Sequence, residues 1–392
     1  MEARTVPEIV AYVFIDLAVI IVLARLMGRL AIKVGQPAVV GEIIAGIMLG
    51  PSLLGLFPGD LDGLLFPADI RPYLNVLAQL GIVLFMFLVG LEVDLSFIKG
   101  REKVAVSVSL VSIVLPFGLG FLLATYLHGE HGVVNDEQVS FLAFALFLGV
   151  AMSITAFPVL ARILAERNMH RIPTGVLALA CAAVDDVLAW SLLAIVVAIV
   201  SATSFVGVIQ ILGFSVVFAI VMFGVVRPLL KRLVDLHERF GRLTPDMLAL
   251  VLVGVLASSF VAEEIGIHFI FGAFVFGVCM PRKGAAQMTH EITERLEQVS
   301  VLLLLPVFFV VTGAGVDIGG IDLEGLWELA LILLVAISGK FVGAFVAARF
   351  QGVPRRQATA LGVLMNTRGL TELVILNIGV QRGVLDGEMF TL

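Results

Sequence analysis

The sequence predicts an all-α polytopic membrane protein, and three observations carry that expectation. Of 392 residues, 60% are apolar and only 14% are charged, against roughly 25% charged in soluble domains. The mean hydropathy of +1.11 is concentrated in runs long enough for spans of about 20 residues. The Lys and Arg residues gather in alternate loops. A soluble enzyme is excluded, because one soluble core could not hold this much apolar surface. The 28 Phe and 39 Gly, set beside only 3 Tyr, suit a helix bundle better than a barrel, whose signature is short alternating segments with aromatic girdles. The two cysteines, Cys181 and Cys279, lie inside apolar runs and define neither a disulfide framework nor a metal site.

Twelve spans are expected, at 8–30, 38–56, 73–91, 103–127, 140–165, 173–200, 205–227, 245–262, 265–281, 298–315, 326–348 and 356–380. The first is too long for a cleaved signal peptide, carries Asp16 and follows acidic as well as basic residues, so it is read as a retained helix. The second to fourth are continuous apolar runs, with Glu42 in the second and Glu92 just past the end of the third. The fifth is interrupted at Ser153-Ile154-Thr155-Ala156-Phe157-Pro158, where a proline removes a helix hydrogen bond and frees carbonyls. The sixth begins near Pro173 and carries Asp185 and Asp186. The seventh to tenth are again apolar, and the eleventh holds Lys340. The twelfth is interrupted by the polar run Asn366-Thr367-Arg368-Gly369-Leu370-Thr371-Glu372. Gly46 with Gly50 and Gly339 with Gly343 form small-xxx-small pairs. Both suit close packing within one subunit, and the first also suits a dimer contact.

Counting basic residues supports this parsing. Of the 25 Lys and Arg, 20 fall in alternate loops, the side retained in the cytoplasm, so the N-terminus is expected outside. The formal charge of −6 then reflects acidic outer loops. It implies no nucleic-acid partner; the partner is the lipid bilayer.

Charges at membrane depth are the candidates for function, because each costs about 2.5–3.5 kcal/mol on insertion scales. Asp185 lies twelve residues beyond Pro173, roughly 18 Å along a helix and near mid-bilayer. Asp186 points about 100° away from it, so the two carboxylates serve different neighbours. A carboxylate is costly to keep ionised at this depth and can hold a proton, and its hard oxygens also suit an alkali cation. A site that takes a cation or protons, but not both, is the chemical minimum for an antiporter. Lys340 is too deep to reach either surface and is expected to pair with a buried carboxylate, Asp185. Irregular backbone at this depth is tolerated where it lines a cavity, and paired interruptions in two halves mark inverted-repeat transporters. Half-helix ends there need charge compensation, which Arg368 and Glu372 could supply.

These residues resemble a known family, the monovalent cation/proton antiporters of the second branch, which includes bacterial Na⁺/H⁺ antiporters and plant cation/H⁺ exchangers. The resemblance rests on Gly41–Ser52, on Leu88-Val89-Gly90-Leu91-Glu92-Val93-Asp94, on Thr155–Arg162, on Asp185-Asp186 and on Met365–Gly379. It implies an inverted-repeat antiporter fold of thirteen helices with two crossed broken helices, arranged as a dimer domain plus a core domain. The first repeat would be 1–200, the linker helix and cytoplasmic loop 201–243, and the second repeat 244–392. After residue 380 the chain opens towards another span and stops, so the last helix is expected to be missing. By resemblance Asp186 is the principal cation and proton carboxylate, Asp185 its companion and Lys340 the paired lysine. Thr155, with Ser153 beside it, marks the first crossover; Asn366, Arg368 and Glu372 mark the second; Glu92 is an acidic position of the third helix. The resemblance further implies a homodimer in a bacterial inner membrane that exchanges Na⁺ or K⁺ for protons by alternating access, with no cofactor.

Three other readings fit the sequence less well. A channel-like cation pathway lacks a Thr-Val-Gly-Tyr-Gly-type filter. A potassium efflux system of the same superfamily would carry a nucleotide-binding domain, and usually Gln-Asp for Asp-Asp. An intramembrane enzyme finds no His-Glu-x-x-His and no metal-spaced cluster. The six histidines, mostly in or beside loops, are read as solvated or capping residues.

Overall fold

The computed structural model describes residues 4–36, 38–50, 52–56, 65–67, 69–92, 102–134, 136–166, 169, 172–201, 205–282, 284–314, 316 and 318–392. In chain order the helices are α1 (Val6–Lys33), α2 (Ala38–Leu49), α3 (Arg71–Glu92), α4 (Glu102–His131), α5 (Phe141–Ser153), α6 (Phe157–Glu166), α7 (Pro173–Ser201), α8 (Phe205–Val221) and α9 (Arg227–Phe240). They continue as α10 (Pro245–Ile265), α11 (Phe269–Cys279), α12 (Ala286–Val299), α13 (Leu305–Gly313), α14 (Leu323–Phe350), α15 (Arg355–Leu364), α16 (Leu370–Gln381) and α17 (Gly387–Thr391). A two-stranded antiparallel ladder, β1 (Val133–Val134) with β2 (Glu137–Gln138), follows α4. Among the described residues, eight helices are long and apolar enough to cross a membrane, and four shorter apolar helices accompany them.

Local chemistry sets many of the helix ends. Thr5 and Glu8 close a capping box at the start of α1, with Thr5 N donating to the Glu8 carboxylate at 2.7 Å. Thr244 accepts from Met247 N at 3.3 Å with Pro245 in the first turn of α10, and Gly266 ends that helix at φ 98. Asp322 caps α14 by accepting from Gly325 N at 2.8 Å.

The twelve expected spans have helical counterparts, with four differences. The second ends at Leu49, ahead of Gly50. The ninth starts only at Phe269, because His268 adopts φ 77, outside the helical region. The seventh does not stop near Arg227. A π-helical turn, Met222–Val226, joins α8 to α9 and carries the helix through the expected loop to Phe240. The tenth starts earlier, at Ala286, and passes a second π turn at Ser300–Leu304. The interruptions expected in the fifth and twelfth spans fall at residues 154–156 and 365–369. Of the basic loop residues, Lys99, Arg101, Arg167, Arg171 and Lys283 lie outside the described residues, as do Asp94 and His170.

The chain divides into two compact units, residues 1–92 with 213–320 (unit 1) and 93–212 with 321–390 (unit 2). In unit 1, α1 packs on α2, α13 on α2 and α3, and α11 on α3 and α10. In unit 2, α4 packs on α14, α5 and α7, while α15 packs on α14 and α7. Both small-residue pairs act inside the subunit. A Cβ on Gly46 would stand 2.4 Å from the Phe309 carbonyl oxygen and one on Gly50 2.6 Å from Ala314 Cα, so the first pair turns its small faces to the α13 segment instead of to a second copy. In unit 2 a Cβ on Gly343 would stand 2.7 Å from the Val111 oxygen of α4. Gly343→Ala therefore forces α14 off α4 and is expected to lower stability by about 1–3 kcal/mol, read as a lower melting temperature of the detergent-solubilised protein.

Candidate functional site

The two helix interruptions in unit 2 meet. Ala156 N donates to Thr367 O at 2.9 Å, and Thr155 Oγ1 donates to Met365 O at 2.9 Å. Backbone groups freed by one break are thus satisfied by the other, as a water-poor interior requires. Pro158 falls in the first turn of α6, where its missing N–H costs no helix bond.

Asp185, fully buried on α7, reaches this junction. Its Oδ2 accepts from Thr155 N at 3.0 Å and from Lys340 Nζ at 3.0 Å. Its Oδ1 lies 3.3 Å from Lys340 Nζ and 3.4 Å from Ser112 Oγ. Lys340 Nζ also donates to the Ser153 carbonyl, the last residue of α5. The ion pair expected of Lys340 is therefore placed on Asp185, with both side chains at 0% exposure. A buried charge is tolerable only when paired and hydrogen-bonded, and Asp185 meets both conditions. Asp186 is equally buried and close enough to Lys340 to feel its charge.

The second junction partner is Arg368. Its guanidinium donates to the carbonyls of Ala151 at 3.4 Å, Met152 at 3.0 Å and Ala336 at 3.3 Å, and it pairs with Glu372. The carbonyls freed at the C-terminal end of α5 thus face two cations, Arg368 and Lys340, and Glu372 stands in the first turn of α16. Each charge opposes the local helix-end dipole. Asn366 Nδ2 donates to Ile337 O at 3.0 Å, fixing the second break to α14. Ser153 Oγ turns away to its own helix, donating to Val150 O at 2.8 Å, so Ser153 offers the site its carbonyl and not its hydroxyl.

One contributor was missed in the sequence. Ser112, on α4, faces Asp185, and Ser109 one turn earlier donates to Cys181 O at 2.7 Å. Their sequence signal is weak: Ser109 and Ser112 stand at i and i+3 in the apolar middle of a helix that also carries Ser107 and Thr125. Glu92 closes α3, and its side chain lies outside the described residues. Asp16 and Glu42 are buried in unit 1 and do not belong to this cluster. The reading of the histidines as solvated or capping needs correction: His131, His237 and His268 are 2%, 6% and 3% exposed. For His131 and His237 the reason is a bond to acidic side chains contributed by distant segments.

A polytopic helical membrane protein whose two broken helices meet over a buried Asp–Lys pair is, by class, an ion carrier. Residues 18–392 match the family described as sodium/hydrogen exchanger, transmembrane, and the chain belongs to that family. It is 41% identical to the Na⁺/H⁺ antiporter NhaS4 of Synechocystis, over 100% of this chain and 94% of that protein. It is 39% identical to cation/H⁺ antiporter 20 of Arabidopsis thaliana over 96% of this chain, and spans 46% of that longer relative. The structure superimposes on that of the sodium proton antiporter MjNhaP1 from Methanocaldococcus jannaschii at pH 8 with TM-score 0.62 and 15% identity, covering 94% of this chain and 87% of the other. That likeness shows the antiporter fold.

Proposed function

We propose that this protein is a secondary antiporter that exchanges a monovalent cation, Na⁺ or K⁺, for protons by alternating access. The observation that carries the reading is the fully buried Asp185–Lys340 pair beside Asp186 at the meeting of two helix breaks. The names of the relatives support it.

Asp186 is the carboxylate that binds either a cation or a proton. Asp185, held by the Thr155 amide and Lys340, is its companion. With protons bound the site is neutral; an arriving cation displaces them and takes the carboxylate oxygens, aided by backbone carbonyls freed at the breaks. Only a loaded site lets the core move across a low-dielectric barrier, because an unneutralised carboxylate there is costly. Competition for the same oxygens couples the two fluxes without simultaneous binding. If two protons replace one cation, net charge moves. Arg368, Glu372 and Asn366 hold the junction and compensate helix ends, and Glu92 contributes an acidic group at the end of α3.

In this reading unit 2 is the mobile core and unit 1 the dimer domain of a homodimer. The chain is built of two inverted repeats, 1–200 and 244–392, joined through 201–243. The N-terminus lies outside, and the setting is a bacterial inner membrane. Purified protein in proteoliposomes carrying an acid-inside gradient should give cation-driven dequenching with Na⁺ or K⁺ that depends on pH. Absence of exchange with Na⁺, K⁺ and Li⁺ across pH 6–9 would overturn the proposal. Lys340→Ala removes the titratable partner of Asp185 and is expected to leave exchange but alter its charge movement, so that the response of the rate to an imposed membrane potential differs from the parent's.

A further inference from the structure

The strongest unassigned cluster in unit 2 is built on His131, the last residue of α4. Its Nε2 stands 2.9 Å from Glu328 Oε2 on α14, and its Nδ1 stands 3.1 Å from Asp386 Oδ2, ahead of α17. The side chains of His131 and Glu328 are each 3% exposed. Asp386 Oδ1 caps α17, accepting from Met389 N at 2.6 Å. The three residues come from segments 197 and 255 positions apart in the chain, so the cluster ties the end of α4, the start of α14 and the segment after α16 together.

Proton counting gives the cluster its chemistry. Two hydrogen bonds across an imidazole and two carboxyl groups need two protons. A neutral imidazole between two carboxylates supplies one. The second must come from the medium, whether it sits on the ring or on Glu328. Among the described residues the neighbouring titratable groups face elsewhere: on its own helix His128 bonds the Val139 carbonyl at 2.9 Å, and Glu324 and Glu388, on the two facing elements, are exposed. Asp386 lies outside the spans. Burial pushes its carboxyl up, but the His131 bond and the Met389 and Glu388 amides outweigh that and hold it below the usual range, as a protonated ring would.

We propose that His131, Glu328 and Asp386 form a second proton-binding site, separate from Asp185 and Asp186, which latches one end of unit 2 when protonated and releases it at alkaline pH. Along α4 the latch is nineteen residues, roughly 28 Å, from Ser112; along α14 it is twelve residues, roughly 18 Å, from Lys340. It therefore acts on the two helices that hold Asp185 without touching that residue. When the second proton leaves, one bond is lost and a buried carboxylate faces a ring lone pair, so α4, α14 and the α17 segment separate more readily.

The test is the melting temperature of the detergent-solubilised protein from pH 6 to pH 9, for the parent, His131→Lys, His131→Gln and Glu328→Gln. The parent should lose stability as pH rises. His131→Lys, which stays charged, should lose this alkaline decline. His131→Gln should be less stable than the parent at pH 6 and show no decline. Glu328→Gln removes one acceptor and should move the decline to lower pH, and it carries the test if His131→Gln does not fold. Declines parallel to the parent in His131→Lys and Glu328→Gln would overturn the proposal. Because melting does not depend on transport, this result stands apart from the antiport reading.

Discussion

Asp186→Asn is expected to abolish pH-dependent cation exchange in proteoliposomes. The substitution keeps the size of a side chain that is wholly buried on α7, so the packing around it survives. It removes the negative charge that a cation needs and the proton that exchange must carry. An interaction with a charged partner at a buried site contributes about 1.5–3 kcal/mol, so loss of the charge alone weakens cation binding roughly ten- to a hundredfold. Loss of the titratable proton removes coupling altogether, which no rise in cation concentration can restore. Dequenching of a pH-sensitive dye on addition of Na⁺ or K⁺ reads both effects. Full exchange by the asparagine variant would move the assignment away from Asp186.

The second large effect concerns its neighbour. Asp185→Asn leaves Lys340 fully buried without the carboxylate that balances it, while Thr155 N loses its ionised acceptor. Breaking a buried pair by removing one partner costs about 3–5 kcal/mol, because the remaining charge is uncompensated. Unit 2 should therefore melt well below the parent. The double variant Asp185→Asn with Lys340→Met should regain most of that loss, since removing both charges leaves none orphaned. It should also exchange without moving net charge, Asp186 being the one carboxylate left of the acidic pair. Equal melting of the single variant and the parent would show that the pair does not hold the core together.

Much of this was legible in the sequence, for physical reasons that can be named. Hydropathy exposed the spans because a bilayer demands continuous apolar helices, and Pro158 and the run Asn366–Glu372 exposed the two breaks because they violate helix chemistry. Lys340 required a carboxylate partner, and depth along the helix pointed to Asp185. That the breaks bond each other, Ala156 N to Thr367 O and Thr155 Oγ1 to Met365 O, is a tertiary fact with no local signature. Ser112 was hidden because a serine in a membrane helix usually satisfies itself on its own backbone, and only its position opposite Asp185 gives it a role. On sequence alone His131, beside a loop, reads as a solvated or capping residue. Its partners, Glu328 and Asp386, are distant in sequence, and no spacing rule connects them. The continuation of α8 into α9 was obscured by the basic residues from Arg227 onwards, which mark the membrane boundary but do not end a helix.

The most direct test of the central claim is proton release on cation binding, measured with a pH indicator in weakly buffered, detergent-solubilised protein. Competition for the oxygens of Asp186 and Asp185 predicts saturable release of protons when Na⁺ or K⁺ is added, with apparent cation affinity falling as pH is lowered and no release from Asp186→Asn. Cation binding that releases no protons and keeps the same affinity across pH 6–9 would contradict it.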